Sequence, residues 1–192
     1  RSLLNYTTML ECNYARQLNP LTELPGNTVI QGNINNMLKA KRTCCVLYFD
    51  LDNFKVYNDT YGFENGDRIL KYTAKLISSK IKSLFSYNGF IGHVGGDDFV
   101  GIIENSIEEC EKLCAEIIKE FDSEILDFFN EEDRKNKYII STGRDGKKGI
   151  FPITSISIAG VYGKLNDFSN PEEVGVAVAS IKKEAKSVSG SC

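Results

Sequence analysis

Two apolar runs that each break into carboxylates limit the fold most. Residues 43–49 are apolar almost throughout and lead into Asp50-Leu51-Asp52-Asn53-Phe54-Lys55. Residues 90–94 lead into Gly95-Gly96-Asp97-Asp98, and the chain leaves through Phe99, Val100, Ile102 and Ile103. A continuous apolar run bounded by turn residues reads as a central strand, and the Gly-Gly-Asp-Asp step reads as a tight turn between two strands. If the first strand pairs beside that hairpin, Asp50 and Asp97 come within reach of one ion. Acidic oxygens converging at strand ends suit Mg²⁺ when it also holds a phosphate. The plain structural alternative is that Asp50 and Asp52 cap the helix that follows.

Helical spacing fills much of the remainder. Residues 28–40 carry Val29, Ile30, Ile34, Met37 and Leu38 on one face, weakened at Gly32 by about 1 kcal/mol relative to Ala. Residues 53–61 read as a short helix stopped by Gly62. Residues 66–85 repeat apolar side chains at Ile69, Leu76, Ile77, Ile81 and Leu84. The next helix starts at a Ser106/Glu109 capping pattern, and its stripe runs Ile107, Cys110, Cys114, Ile117, Phe121, Ile125, Phe128. Residues 131–149 are charged and read as a surface insertion, with a small hairpin around Tyr138-Ile139-Ile140. A strand over 153–161 and a helix over 174–188, started by Asn170 and Pro171, complete the order. Strands with helices on one face give an α+β sandwich. Residues 2–18 can form a further helix, ended by Pro20. Thus 1–20 reads as an N-terminal docking or linker helix, or a frayed terminus, and 21–192 as one domain, an ordinary size for a single core.

Composition excludes more than it assigns. With a net charge of −3 the chain has no broad basic surface for nucleic acid, while a single anionic nucleotide needs only a local positive site. No apolar stretch reaches membrane-spanning length, so no membrane contact is expected of the domain itself. The six cysteines are placed poorly for disulfides: Cys44 and Cys45 are strand neighbours, and Cys110 and Cys114 share a helix. Free thiols in a reducing cytoplasm are the expectation, whether or not the parent protein is membrane-anchored. A metal at Cys110 and Cys114 would need two further ligands.

The motifs resemble the GGDEF family, the diguanylate cyclases. Residues 49–62 resemble its Asp-x-Asp-x-Phe-Lys…Asn-Asp-x-x-Gly block, continued by Gly66-Asp67. Gly95 to Phe99 resembles its signature turn, with Asp98 where Glu is usual, giving GGDDF. Leu21-Thr22-Glu23-Leu24-Pro25-Gly26-Asn27 resembles its Leu-Thr-Gly-Leu-Pro-Asn element. Several motifs in order, over roughly 21–186, are far more specific than one short match.

The resemblance implies a ferredoxin-like, palm-type antiparallel sheet flanked by helices, with a final strand after the last helix; the chain stops at Cys192, so that strand is expected to be missing. It implies Mg²⁺ (or Mn²⁺) held by Asp50, the Leu51 carbonyl, Asp97 and Asp98. Asp97 and Lys55 would carry catalysis, with Lys55 stabilising the transition state. Asn58 and Asp67 would read guanine, whose N1–H and N2–H₂ donors a carboxylate accepts as a pair and adenine lacks. Asp67 as a helix cap and Lys55 as a plain surface lysine are the structural alternatives. Backbone N–H groups at Asp52, Asn53 and Phe54 would cradle phosphates, and Lys186 matches a lysine near the γ-phosphate. An Arg expected shortly after it is absent; Lys182 or Lys183 could substitute for it, although a solvated helix face is the favoured reading of both.

Other departures bear on activity. The Asp98 carboxylate is about 1.5 Å shorter in reach than Glu, and misplacement of that order costs about 100-fold in rate. Phe63 stands where His is frequent. His93 stands where Arg is frequent and reads as a satisfied structural residue. Ser86-Tyr87-Asn88-Gly89 stands where many members carry the Arg-x-x-Asp inhibitory product site, so no such site is expected.

The activity implied is condensation of two GTP into cyclic di-GMP with release of two pyrophosphates, by a homodimer in which each protomer presents one GTP. An upstream sensory domain or a linked phosphodiesterase domain is the expected partner. The alternative is a catalytically weakened GTP-binding regulatory domain. A third class, another palm-type nucleotidyl transferase, would show itself by preferring ATP.

Overall fold

The computed structural model describes residues 17–85, 89–142, 148–186 and 190–192. Helix α1 (Asn27–Ala40) precedes strand β1 (Cys44–Asp52), followed by α2 (Phe54–Tyr61) and α3 (Phe63–Phe85). The hairpin β2 (Gly89–Gly95) and β3 (Asp98–Ile103) leads to α4 (Ile107–Glu124). A 3₁₀ turn (Ile125–Phe128) and α5 (Glu131–Asn136) reach the small hairpin β4 (Tyr138–Thr142) and β5 (Lys148–Pro152). Strand β6 (Ser155–Gly163) and α6 (Pro171–Ala185) follow. The linker-helix reading of residues 2–18 lies almost wholly outside the described residues, as do Ser86, Tyr87 and Asn88 of the inhibitory-site comparison.

The main sheet has four strands in the order β2-β3-β1-β6, every pair antiparallel. Its helices cover both faces, not one. Cys45, Leu47, Phe49 and Leu51 pack with Ile69, Ile77, Ile81, Leu113, Ile117 and Phe121 of α3 and α4. Cys44 and Val46, with Val100 and Ile102 of β3, pack with Ile30, Ile34, Val174 and Val178 of α1 and α6. Side chains alternate faces along a strand, so a run that is apolar at both parities needs a cover on each side.

Local signals place the helix starts. Ser106 Oγ accepts the Glu109 N–H at 3.3 Å, and Asn170 Oδ1 accepts the Glu173 N–H at 2.9 Å with Pro171 in the first turn. Helix α3 begins at Phe63, three residues before the expected start, so Asp67 is its fifth residue and does not cap it. The stripe expected to continue to Phe128 changes to 3₁₀ geometry at Ile125, and Ile107 at its head is 40% exposed. Last, Cys192 returns to the outer edge of β6. Its N–H donates to the Ile156 carbonyl at 3.1 Å, and its carbonyl accepts from Ile158 at 2.7 Å. These are strand-type bonds where the resemblance expects a final strand.

The segment 131–149 is not loose decoration. Its hairpin extends to Pro152, and β4 packs against α2 and α5. Tyr57 donates to the Phe128 carbonyl at 2.7 Å, Thr60 bonds Ser141 at 2.9 Å, and Tyr61 bonds Asp133. The five cysteines among the described residues are free thiols, and Cys44, Cys45 and Cys110 are buried. Burial pushes the Cys44 thiol up to about 11, which keeps it protonated and unreactive. Among the described residues no helix is long and apolar enough to cross a membrane.

Candidate active site

The register of the central strands builds the site. Asp50 on β1 lies directly opposite Asp98 on β3 and Ser157 on β6. Residues opposite one another share a face, here the one covered by α6. Two like charges in such a pair repel, and both are kept there. A third carboxylate, Asp97, comes from the β2–β3 turn. The turn needs left-handed and otherwise strained backbone, at φ +145° for Gly95 and +58° for Gly96, which glycine tolerates. One carboxylate oxygen from each of Asp50, Asp97 and Asp98 lies within 4.8 Å of the others. Leu51 is buried beside Asp50 at the end of β1.

Asp50 and Asp52 do not cap α2; the Asn53 cap position makes no side-chain cap bond either. Asp52 accepts from Ser155 Oγ at 3.0 Å and Ser157 Oγ at 2.6 Å. Asp50, only 3% exposed, is ion-paired with Lys182 and Lys186 of the last helical turn and cap of α6. Lys182 also pairs with Asp98. The expectation of a solvated face therefore holds for exposed Lys183 and fails for Lys182. Lys182 and Lys186 are four apart, so one helix face delivers both to the strand ends.

Three carboxylates face two ammonium groups, and the shortfall shows at Asp97. Burial pushes its pKa up, and the Asp50 charge pushes it further the same way. Burial works against the Lys182 charge, but its bonds to Asp50 and Asp98 outweigh this and raise its pKa. Hard oxygen donors in a partly buried, net anionic cluster suit Mg²⁺ or Mn²⁺ rather than a soft metal. The donor set fits the cation that the family resemblance implies.

The other expected residues surround this cluster. Asn53 adopts left-handed backbone at φ 59° and turns the chain from β1 into α2, whose first residue is buried Phe54. Lys55 is exposed on the first turn of α2 and forms no ion pair among the described residues. Asn58 packs against Gly66, with its Oδ1 buried and unpartnered. Asp67 is exposed on α3 nearby, and Phe63 is 76% exposed. A buried amide oxygen without a partner costs roughly 1–3 kcal/mol, a cost that a bound donor would remove.

His93 is a satisfied structural residue. Its Nε2 lies 3.0 Å from the Gly96 carbonyl, which only accepts, so Nε2 donates and Nδ1 accepts from Thr22 Oγ1 at 2.9 Å. The ring stacks on Phe99. His93 thus ties the residue 21–25 loop to the signature turn. Sequence reading missed the Thr22 contact and the serine pair on Asp52; the second follows from Ser155 and Ser157 sharing a face of β6.

The family model described as diguanylate cyclase, GGDEF domain, matches residues 17–145. The chain belongs to the GGDEF family. A diguanylate cyclase of Vibrio cholerae is 41% identical over 82 residues, which are 43% of this chain and 24% of that protein. The diguanylate cyclase DgcS of Shewanella oneidensis is 33% identical over 120 residues, 60% of this chain and 39% of that protein. The signaling protein YkoW of Bacillus subtilis is 30% identical over 123 residues, 60% of this chain and 15% of that protein. The chain thus spans well under half the length of these relatives. Among solved structures, the coiled coil and GGDEF domain of DgcB from Caulobacter crescentus, in complex with c-di-GMP, aligns with TM-score 0.70. It covers 100% of this chain and 94% of that one at 17% identity. The GGDEF domain of TpbB from Pseudomonas aeruginosa aligns with TM-score 0.64, covering 91% of each chain at 19% identity. At these identities the structural likeness concerns the fold, the α+β antiparallel sheet flanked by helices of GGDEF domains.

Proposed function

We propose that this GGDEF domain condenses two GTP molecules into cyclic di-GMP and releases two pyrophosphates. The observation that carries the reading is the convergence of Asp50, Asp97 and Asp98 at the strand ends, in a chain of this family. Asp50, Asp97, Asp98 and the Leu51 carbonyl would hold Mg²⁺ or Mn²⁺. The bound cation supplies charge neutralisation for the triphosphate and a lower pKa for the attacking hydroxyl. Lys55, free of ion pairs at the start of α2, would bind the developing charge on the phosphates, and Lys186 the γ-phosphate. Backbone N–H groups at Asp52, Asn53 and Phe54 would donate to the remaining phosphate oxygens. Asn58 and Asp67 would hold the guanine edge, Asn58 through the Oδ1 that has no partner of its own.

Each 3′-hydroxyl attacks the α-phosphate of the other nucleotide, so two protomers must face one another. Positioning then does most of the catalytic work. A protein joined to a dimerising segment, incubated with GTP and Mg²⁺, is expected to give cyclic di-GMP, and Asp97→Ala to give none. An Asp97→Ala protein with full turnover would remove the metal assignment.

One observation favours the second reading, a GTP-binding regulatory domain acting on a linked signalling or phosphodiesterase domain. Asp98 is short and already engaged by Lys182. GTP binding without product in the dimerised protein would select that reading.

A further inference from the structure

We propose that Lys182 is a built-in counter-cation, holding the place of a divalent ion between Asp50 and Asp98 until nucleotide arrives. This rests on the metal-and-phosphate reading of the site and deepens it. Asp50 and Asp98 are opposite neighbours on adjacent strands, and the Lys182 ammonium bridges them. Without it, two carboxylates in a partly buried row would repel each other with no intervening charge. α6 carries the lysine to the strand ends, and its side chain is 20% exposed. Lys186 completes the arrangement from the other Asp50 oxygen. The cluster is thereby largely neutralised from within, and a free divalent cation gains entry only by displacing the ammonium.

A triphosphate changes the balance. It brings several negative charges to the same strand ends and offers the two ammonium groups new acceptors. Lys182 then moves from carboxylate to phosphate oxygen, and Asp50 and Asp98 are released for the cation. Ion and nucleotide would bind with positive coupling, each raising the affinity for the other.

The test is Mn²⁺ binding to the nucleotide-free protein, read from loss of the free-ion paramagnetic resonance signal. Lys182→Met, close in length and uncharged, is expected to bind Mn²⁺ at least about tenfold more tightly than the parent. Lys182→Arg is expected to stay near the parent. Adding a non-hydrolysable GTP analogue should narrow the gap between parent and Lys182→Met. Should Lys182→Met not fold, Lys182→Gln keeps a hydrogen-bond donor without the charge and carries the same expectation. Asp50→Asn supplies the background. Equal affinities in parent and Lys182→Met, both abolished by Asp50→Asn, would overturn the counter-cation role and leave the metal reading standing. No binding above that background in any of these proteins would remove the metal reading and this inference together.

Discussion

On the proposed reading of the site, Gly66→Ala is expected to separate folding from nucleotide recognition. An alanine Cβ at position 66 would lie 1.8 Å from Asn58 Oδ1 and 2.8 Å from Asn58 Cγ. All of the nearest atoms belong to that one side chain, so Asn58 must swing away. The swing forfeits no bond at Oδ1, which has no partner. Meanwhile alanine is about 1 kcal/mol better than glycine inside a helix. Stability is expected to stay level or rise by up to about 1 kcal/mol, a Tm gain of at most about 2–4 °C for a chain of this size. Recognition moves the other way. If Asn58 holds guanine as proposed, losing that one hydrogen bond costs about 1–1.5 kcal/mol, close to tenfold in affinity. Calorimetric titration with a non-hydrolysable GTP analogue reads the affinity, and a thermal melt reads the fold. The double variant Asn58→Ala with Gly66→Ala should bind no more weakly than either single variant, because both remove the same contact. Additive losses, or a Tm lowered by more than about 4 °C, would refute the claim that Gly66 exists to seat Asn58.

Two further outcomes follow from the packing and the charges. Gly92 of β2 faces α1 so closely that an added Cβ would stand 2.4 Å from Ile30 Cγ1 and 2.8 Å from the Pro25 carbonyl; Gly92→Ala is expected to cost about 1–3 kcal/mol in chemical denaturation. Burial lowers the His93 pKa below its ordinary 6.5, against smaller raising effects from Gly96 and Asp98. The unfolded chain then binds the proton more readily, so this contribution is full above pH about 6.5 and is lost as pH falls through the depressed folded value. His93→Gln should flatten that part of the Tm-against-pH curve, and an unchanged slope would count against it.

How far the sequence disclosed this site depends on the type of signal. The central strands were legible because continuous apolar runs end in turn residues, and Gly95-Gly96 announces a turn that other residues resist. The same run, apolar at both parities, also implies helices on both faces, which a one-sided sandwich does not supply. The 3₁₀ turn was not legible, since Ile125 and Phe128 fit either helical period over a single turn. Lys182 was legible as a surface lysine or a substitute for the missing Arg, not as the partner of Asp50 and Asp98. Its role depends on α6 crossing the ends of β1 and β3, a long-range fact that no local pattern contains. Spacing between Lys182 and Lys186 was the one available hint. Glu23 shows the reverse case: it takes left-handed backbone at φ 59° where the family motif has glycine, so the motif reported the conformation although the residue differs.

The most direct measurement is a crystal of the protein with Mn²⁺ and a non-hydrolysable GTP analogue, with the ion located by its anomalous scattering. An anomalous peak between the Asp50 and Asp97 carboxylates, touching the triphosphate and with guanine beside Asn58 and Asp67, is the expected result. Nucleotide bound elsewhere on the domain, or manganese absent from the strand ends while nucleotide is present, would contradict the account.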